Sequence, residues 1–256
     1  DLDDGMRTEV FHFKNCQWQP PPSGPRYKIF QCNIGGKKNF EAAVKWAVLL
    51  MAELVFLQEI RVGKYESKKR EEVMKTATRY GFNGILFTPH EGMQRGLIIL
   101  YHPSISVQLI HAFLTFTHEE MSVLVDGALR MTNMYRQSGS SIQEILQEDC
   151  WSSDHVVLGD NLRELIPRVQ TEFGGENHIH EVTYQPNSTT PDCLFSLDPD
   201  VSVSVSVLPF EDASDKHLPI CGCVSLNFGG FMKAKRDRPD DGDKLFKEGR
   251  QCELYK

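Results

Sequence analysis

Short, almost uninterrupted apolar runs recur along the chain and end abruptly in polar side chains. In the clearest case, the run from Leu54 to Leu57 is followed by Gln58 and Glu59. A strand with one wet face would alternate apolar and polar residues, so a continuous run predicts a strand buried on both faces. A carboxylate at the end of such a strand is costly to desolvate unless it meets a cation or a strong donor. Glu59 is therefore a candidate metal ligand, and the alternative is an ordinary strand-end glutamate that faces water.

The rest of the pattern predicts strands and helices in alternation. Phe40 to Met51 carries apolar residues at helical spacing, which predicts a helix. Val and Ser alternate from Val201 to Val207, as in a strand with one wet face. An Asp126-Gly127 turn between apolar runs predicts a hairpin. Further strands are expected at residues 26–33, 85–87, 96–100, 155–159 and 220–228, and further helices at 67–80 and 141–148. Strands outnumber helices, and helices fall between groups of strands, which favours two sheets faced by helices.

Length and composition indicate a soluble globular protein of one large domain or two small ones. The chain has 256 residues, of which 40% are hydrophobic and 25% charged. No run approaches the ~18 apolar residues of a membrane span, so we expect no membrane association. We divide the chain into an N-terminal arm (1–25), a folded domain (26–228) and a charged C-terminal tail (229–256).

Cysteine content and net charge bound the compartment and the partners. The seven cysteines are odd in number and scattered, which favours free thiols in a reducing compartment, and so an intracellular protein, nuclear or cytoplasmic. The net charge of -7 argues weakly against nucleic-acid binding by the whole surface, and leaves room for a local basic groove.

Polar groups end the buried strands in five separate parts of the chain. They are Asn33, Glu59, the Asn133/Tyr135 pair, the Asp160/Asn161 pair and the Asp215/His217 pair. One strand-end carboxylate carries little information. Several such ends predict a shared cleft, because ligands bind at strand ends in sheets that carry helices on their faces.

Six short motifs in this order resemble the endonuclease/exonuclease/phosphatase superfamily. They are Gln-Cys-Asn-Ile-Gly-Gly (31–36), Leu-Gln-Glu (57–59), Asn-Met-Tyr-Arg-Gln-Ser-Gly (133–139), Leu-Gly-Asp-Asn (158–161), Thr-Thr-Pro-Asp (189–192) and Ser-Asp-Lys-His-Leu-Pro (214–219). The resemblance covers about residues 26 to 228. It implies a four-layer α/β sandwich, in which two mostly antiparallel sheets pack face to face and are flanked by helices. It also implies a phosphodiesterase or phosphomonoesterase that depends on Mg²⁺ or Mn²⁺.

The resemblance also implies roles for individual residues. Glu59 resembles the metal-binding glutamate, with Asn33 and Asp215 as further metal-linked groups. Asp160 resembles the aspartate that orients or deprotonates water, and Asn161 the asparagine that contacts phosphate. His217, with Asp192 as its carboxylate partner, resembles the histidine that stabilises developing charge, and Tyr135 resembles a tyrosine near the scissile phosphate. Oxygen ligands of this kind suit Mg²⁺.

Two departures from the family pattern bear on activity. Asp160 and Asn161 are adjacent, whereas the family separates them by one residue, and on a strand a one-residue slip turns a side chain to the opposite face. An extra residue also stands in Ser-Asp-Lys-His (214–217). We expect His217 to keep the family register because Leu218-Pro219 anchors the next strand, which puts Lys216 at the family's aspartate position.

Basic residues near these motifs are candidate substrate contacts. Arg61 and Lys64 follow Glu59 and predict a phosphate-tracking rim, with a solvated helix face as the alternative. Arg95 and Lys216 are further candidates. We expect nucleic acid as the substrate, DNA rather than RNA, cut by an endonuclease. The alternatives are a 3'-exonuclease, deadenylase-like or end-processing enzyme, and a weakened or inactive member that acts as a binding scaffold.

Overall fold

The computed structural model describes residues 9–13, 26–63, 65–88, 95–208 and 216–226. Within these ranges the strands form two sheets. The first has seven strands in the order β1-β4-β5-β3-β2-β13-β12. Its strands are β1 (Glu9–Phe13), β2 (Arg26–Asn33), β3 (Leu54–Gln58), β4 (Asn83–Thr88), β5 (Leu97–Tyr101), β12 (Val201–Val207) and β13 (Ile220–Leu226).

The second sheet has six strands in the order β10-β11-β9-β8-β7-β6. Its strands are β6 (Val107–Leu114), β7 (His118–Val125), β8 (Leu129–Arg136), β9 (Val156–Asp160), β10 (Glu176–Asn177) and β11 (Cys193–Ser196). All described strand pairs are antiparallel except β2 with β3 and β8 with β9. The two parallel pairs are central in their sheets, so the carboxyl ends of four strands lie at matched edges.

Helices cover the outer face of each sheet. They are α1 (Phe40–Leu49), α2 (Ser67–Arg79), α3 (Ile142–Ile145), α4 (Cys150–Ser153) and α5 (Ile166–Glu172). A core that includes Phe30 and Val55 joins the first sheet to α1 and α2. Another, which includes Trp151 and Val169, joins the second sheet to the later helices. No helix in the described part of the chain is both long and apolar enough to cross a membrane.

The third and largest core lies between the two sheets. Leu54 and Phe56 of β3 point into it, whereas Val55 and Leu57 point to the helices. This strand is therefore buried on both faces, which is why its sequence shows no alternation. The predicted four-layer α/β sandwich, with two mostly antiparallel sheets, is confirmed.

Some local predictions need revision. The helix expected at 141–148 is shorter: only α3 lies in this range, and it is followed by a turn that presents Glu148 to the second sheet and then by α4. Residues 9–13 of the N-terminal arm pair antiparallel with β4 and form an edge strand of the first sheet. The tail at 229–256 lies outside the described residues, and the division into arm, domain and tail stays a prediction.

Candidate active site

A cleft of about 470 Å³ opens where the carboxyl ends of β2, β3, β8 and β9 meet. It is lined by Asn33, Gly35, Lys38, Glu59, Arg61, Tyr135, Ser138, Asp160, Asn161, Tyr184, Thr189, Pro191, Lys216 and His217. Strand ends far apart in the sequence thus contribute to one cavity, as the pattern of polar strand ends predicts.

Asn33 joins the two sheets at the floor of this cleft. Its Nδ2 donates to Glu59 Oε1 at 3.1 Å and to Asp160 Oδ2 at 2.7 Å, so one amide holds a carboxylate from each sheet. The Asn33 side-chain oxygen, Oδ1, accepts the Gly35 N–H at 3.0 Å, which fixes the orientation of the amide. Gly35 has φ +61, a conformation that glycine adopts without strain.

Glu59 follows β3 with φ 53, in the left-handed region that non-glycine residues rarely adopt. Its side chain is 12% exposed and reaches the cleft. Arg61, also left-handed at φ 52, pairs with the other carboxylate oxygen through Nε at 3.0 Å and through a second guanidinium nitrogen. Two strained residues flanking Ile60 are a local cost that structures retain mainly at functional sites.

Asp160 is buried at the end of β9, and Asn161 follows it with φ 61. Because the strand ends at Asp160, the left-handed turn at Asn161 keeps the amide beside Asp160 instead of sending it to the opposite face. Asn161 N donates to Asp160 Oδ1 at 2.7 Å, and Asn161 Nδ2 donates to Oδ2 at 3.2 Å. The adjacency of Asp and Asn therefore leaves both side chains in the cleft.

Burial and the nearby Asp192 charge raise the pKa of Asp160 to about 7. His217 lies beside both aspartates: its Nδ1 is 3.0 Å from Asp192 Oδ2 and 3.9 Å from Asp160 Oδ1. Burial lowers the His217 pKa, but the charges of Asp192, Asp160 and Glu59 outweigh it and raise the pKa to about 9. His217 is therefore cationic at neutral pH.

Aromatic and basic side chains complete the walls. Burial, followed by the charges of Glu59 and Asp160, raises the pKa of Tyr135, which lines the cleft. The Tyr184 ring lies 4.8 Å from the His217 ring, centroid to centroid. Sequence reasoning missed Tyr184 and Lys38. Lys38 lies two residues after Gly36, so the glycine-rich loop was a signal for it, whereas nothing in the local pattern marks Tyr184.

The proposed site residues do not all reach the cleft. Eight of them line it: Asn33, Glu59, Arg61, Tyr135, Asp160, Asn161, Lys216 and His217. Asp192 is not a lining residue, but it hydrogen-bonds to the His217 ring. Arg95 is not among the lining residues: it is 8% exposed, and its guanidinium donates to the carbonyls of Thr115 and Phe116, both at 3.2 Å. Lys64 and Asp215 lie outside the described residues.

The donor set suits a divalent cation. Asp160 and Asp192 offer carboxylate oxygens that lie within 4.8 Å of each other, and Glu59 is joined to Asp160 through Asn33. Burial is the main cause of the raised pKa of Asp160 and the Asp192 charge the next, and a cation bound beside both carboxylates would favour their ionised forms. Carboxylate and amide oxygens are hard ligands, so the residues present fit an ion such as Mg²⁺ or Mn²⁺.

No family model matches the sequence, and no curated protein is significantly similar to it. Solved structures are similar in fold. An AP endonuclease from Archaeoglobus fulgidus aligns with a TM-score of 0.58 at 13% identity over 78% of this chain and 99% of that one. A humanized Danio rerio TDP2 gives 0.54 at 14% identity over 79% and 100%. The human nocturnin catalytic domain with bound sulfate gives 0.53 at 11% identity over 86% and 97%. At these identities the likeness shows a shared fold.

Proposed function

We propose that this chain, which has the endonuclease/exonuclease/phosphatase fold, is a divalent-metal-dependent phosphodiesterase that cuts the nucleic-acid backbone, and that it acts as a DNA endonuclease. One observation carries the proposal. The Asn33 amide holds Glu59 and Asp160 together, while the Asp192–His217 pair lies beside the same Asp160. A metal-binding carboxylate, a candidate base and a cationic histidine thus share one cleft.

The charge distribution suits a phosphodiester. Lys38, Arg61 and Lys216 line the cleft together with His217, so an anionic backbone would meet several cations there. Phosphate contacts of this kind position a nucleic acid without reading its sequence. The overall charge of -7 then confines binding to this local surface.

Each cleft residue has a chemical task in the proposed reaction. Asp160 takes the proton of the attacking water, and its pKa of about 7 matches a base that works near neutral pH. The Asn161 amide, held beside Asp160, donates to a phosphoryl oxygen. His217 presents positive charge to the oxygens on which negative charge develops, and Asp192 keeps its ring protonated and oriented.

Glu59 and Asn33 would hold the divalent ion, which when bound supplies Lewis-acid polarisation of a phosphoryl oxygen. Asn33 Oδ1 keeps a second lone pair after accepting the Gly35 N–H. Asn33 Nδ2 and Arg61 Nε, which donate to the two Glu59 oxygens, orient the carboxylate.

An endonuclease acting on DNA is the preferred specificity, because a structure with this fold is an AP endonuclease. An exonuclease, a deadenylase-like enzyme and an end-processing phosphodiesterase are the alternatives, and the assay separates them. With Mg²⁺ or Mn²⁺, nicked supercoiled plasmid or a cut abasic duplex supports the endonuclease. Stepwise shortening of a labelled oligonucleotide, or of single-stranded RNA, supports the alternatives.

The matched variants are Glu59→Gln and Glu71→Gln. Glu71 lies on α2, its side chain is 63% exposed, and it pairs with Lys75 away from the cleft. We expect Glu59→Gln to abolish cleavage and Glu71→Gln to cleave at the wild-type rate. Equal cleavage by both variants would refute the assignment of Glu59.

A second candidate function is a binding scaffold that keeps the fold without turnover. The Arg61–Glu59 pair favours it, because a guanidinium already neutralises the proposed metal ligand. Retention of a DNA or RNA oligonucleotide with no product on any substrate, at all Mg²⁺ and Mn²⁺ concentrations tested, would support the scaffold.

A further inference from the structure

A second group of His, Glu and Cys side chains lies close together on the helix-facing side of the second sheet. We call His111, His118, Glu120, Glu148 and Cys150 the β6–β7 cluster. His111 is on β6, His118 and Glu120 are on β7, Glu148 precedes α4, and Cys150 begins it. None of the five lines the cleft described above.

The ligand atoms of this cluster are close together. His118, Glu120 and Glu148 offer atoms that all lie within 4.8 Å of one another. His118 Nε2 is 3.4 Å from Glu148 Oε1. His111 Nε2 is 2.5 Å from Glu120 Oε1, and Cys150 Sγ donates to the other Glu120 oxygen at 3.4 Å.

His118 is the informative member. Its side chain is fully buried, and its Nε2 makes no hydrogen bond within the described residues although it faces Glu148. A buried polar atom without a hydrogen bond is unfavourable, and such atoms are rare in native proteins. The unsatisfied nitrogen therefore calls for a ligand.

The other nitrogen of the ring is anchored. His118 Nδ1 lies 3.0 Å from both the Thr115 and the Thr117 hydroxyl oxygens. Metal-binding histidines use their second nitrogen in this way, which fixes the ring and directs the lone pair of the first at the ion. Burial, followed by the Arg95 charge, lowers the pKa of His118 to about 4, so the ring is neutral at pH 7.

We propose that the β6–β7 cluster is a zinc site, with His118, Glu120 and Glu148 as ligands and Cys150 or His111 as the fourth. Mixed nitrogen, oxygen and sulfur donors suit Zn²⁺ and related transition ions, whereas Mg²⁺ prefers oxygen alone. Two ligand atoms bound to one tetrahedral Zn²⁺ at about 2.0–2.2 Å lie roughly 3.3–3.6 Å apart. The 3.4 Å between His118 Nε2 and Glu148 Oε1 fits that spacing.

The site would tie the connection around Glu148 to the sheet. This part of the chain holds only the short helices α3 and α4, and an ion shared between β7 and residue 148 would cross-link them. The Glu148 and His111 side chains are 26% and 30% exposed, so an ion can enter from solvent on that side.

Zinc binding to the full chain tests the proposal directly. The protein is stripped with a chelator and titrated with Zn²⁺ against a chromophoric competitor. The background is Asp160→Asn, which weakens any zinc site in the cleft. We expect one Zn²⁺ per chain. We also expect His118→Gln and Glu148→Gln to weaken its binding more than the ~10–100-fold typical of losing an outer contact. His180→Gln, at an exposed position, changes the affinity less than about 2-fold, the scatter we allow an unrelated site.

Cobalt substitution reads the coordination. Co²⁺ in the cluster gives visible ligand-field bands, and thiolate ligation adds a charge-transfer band that Cys150→Ser removes. A wild-type spectrum with ligand-field bands and no charge-transfer band, unchanged in Cys150→Ser, identifies His111 as the fourth ligand, which also fits the proposal.

Three results would overturn it: no zinc binding by the Asp160→Asn protein, unchanged affinity in His118→Gln, or unchanged affinity in Glu148→Gln. If His118→Gln does not fold, Glu148→Gln decides, since its side chain is partly exposed and lies outside the strands.

Discussion

His217 Nδ1 lies 3.0 Å from Asp192 Oδ2, across 25 residues of sequence. The backbone holds the pair in place: Leu218 N donates to Thr183 O at 2.7 Å, and Asp192 N donates to the Thr183 hydroxyl at 3.4 Å. A protonated His217 ring has a hydrogen on Nδ1, which donates to Asp192. The pair therefore keeps a positive charge beside Asp160 in a buried setting.

Replacing Asp192 should discharge His217. The charge of Asp192 is the largest influence that raises the His217 pKa, so in Asp192→Asn burial is opposed only by the charges of Asp160 and Glu59 and the pKa falls from about 9. We expect cleavage at pH 7.5 to fall by about 10²-fold or more, as when a charge-stabilising donor is lost. A histidine C–H NMR titration measures the pKa, and an unchanged pKa would contradict the pairing.

The same pair makes stability depend on pH. His217 has a folded pKa of about 9, above its ordinary 6.5, so its contribution is fully present below pH 6.5 and is lost as pH rises through 9. We expect the wild-type free energy of unfolding, measured in urea, to fall across that window. In Asp192→Asn the fall should disappear, and a fall of equal size in both proteins would assign the effect to other groups.

Asp160 should limit activity on the acid side. Burial and Asp192 raise its pKa to about 7, so the base is half protonated there and cleavage should decline as pH falls below 7. Asp160→Asn removes the base, and we expect a loss of about 10²–10⁴-fold in rate. Plasmid nicking from pH 5 to 8 measures both. A wild-type rate that stays flat between pH 5 and 7 would exclude Asp160 as the base.

Asp160 also has a stability signature. Its folded pKa lies above its ordinary 3.8, so the stability that comes from holding the proton is present below pH 3.8 and is lost as pH rises through 7. Urea unfolding of Asp160→Asn should therefore depend less on pH between 4 and 7 than wild type does.

Sequence reasoning could find the strand ends because a strand buried on both faces is a continuous apolar run in the sequence. The run from Leu54 to Leu57 predicts β3, and the polar residue after it predicts Glu59 at the edge of the sheet. It could not settle Asn161, because the argument from strand alternation assumes that the strand continues. Asn161 has a φ of 61, which belongs to a left-handed turn, and the pattern of apolar and polar residues does not reveal such a backbone angle.

Loop residues and buried cations escaped prediction for a different reason. Arg95 is basic and precedes a buried strand. However, its guanidinium donates hydrogen bonds to the backbone carbonyls of residues 115 and 116, which lie far along the chain. Tyr184 lines the cleft because an isolated antiparallel β-bridge pairs its backbone with that of His217. Both outcomes depend on tertiary contacts, which local propensity does not encode.

Gly159 should be needed to seat Asp160. A Cβ at residue 159 would lie 1.8 Å from the Met134 carbonyl oxygen, which belongs to the β8 backbone and cannot rotate away. We expect Gly159→Ala to lower the free energy of unfolding in urea by about 3 kcal/mol or more. Gly127→Ala is the control: it has φ +69 but open space around it, so about 1 kcal/mol is expected. Equal losses would mean that the contact with β8 is unimportant.

Arg61 separates the two candidate functions. Its guanidinium occupies one Glu59 oxygen and also lines the cleft, so Arg61→Gln should have two opposite effects on an active enzyme. The metal concentration for half-maximal cleavage should fall, by no more than about 5-fold because a pair in which Arg61 is 39% exposed contributes at most about 1 kcal/mol. KM for DNA should rise, because a phosphate-binding cation is lost.

Arg79→Gln, on the exposed side of α2, should change neither value. If Arg61→Gln instead creates cleavage that the wild-type chain lacks, the arginine blocks the metal and the natural protein is the scaffold; if neither quantity moves, Arg61 has no part in the site.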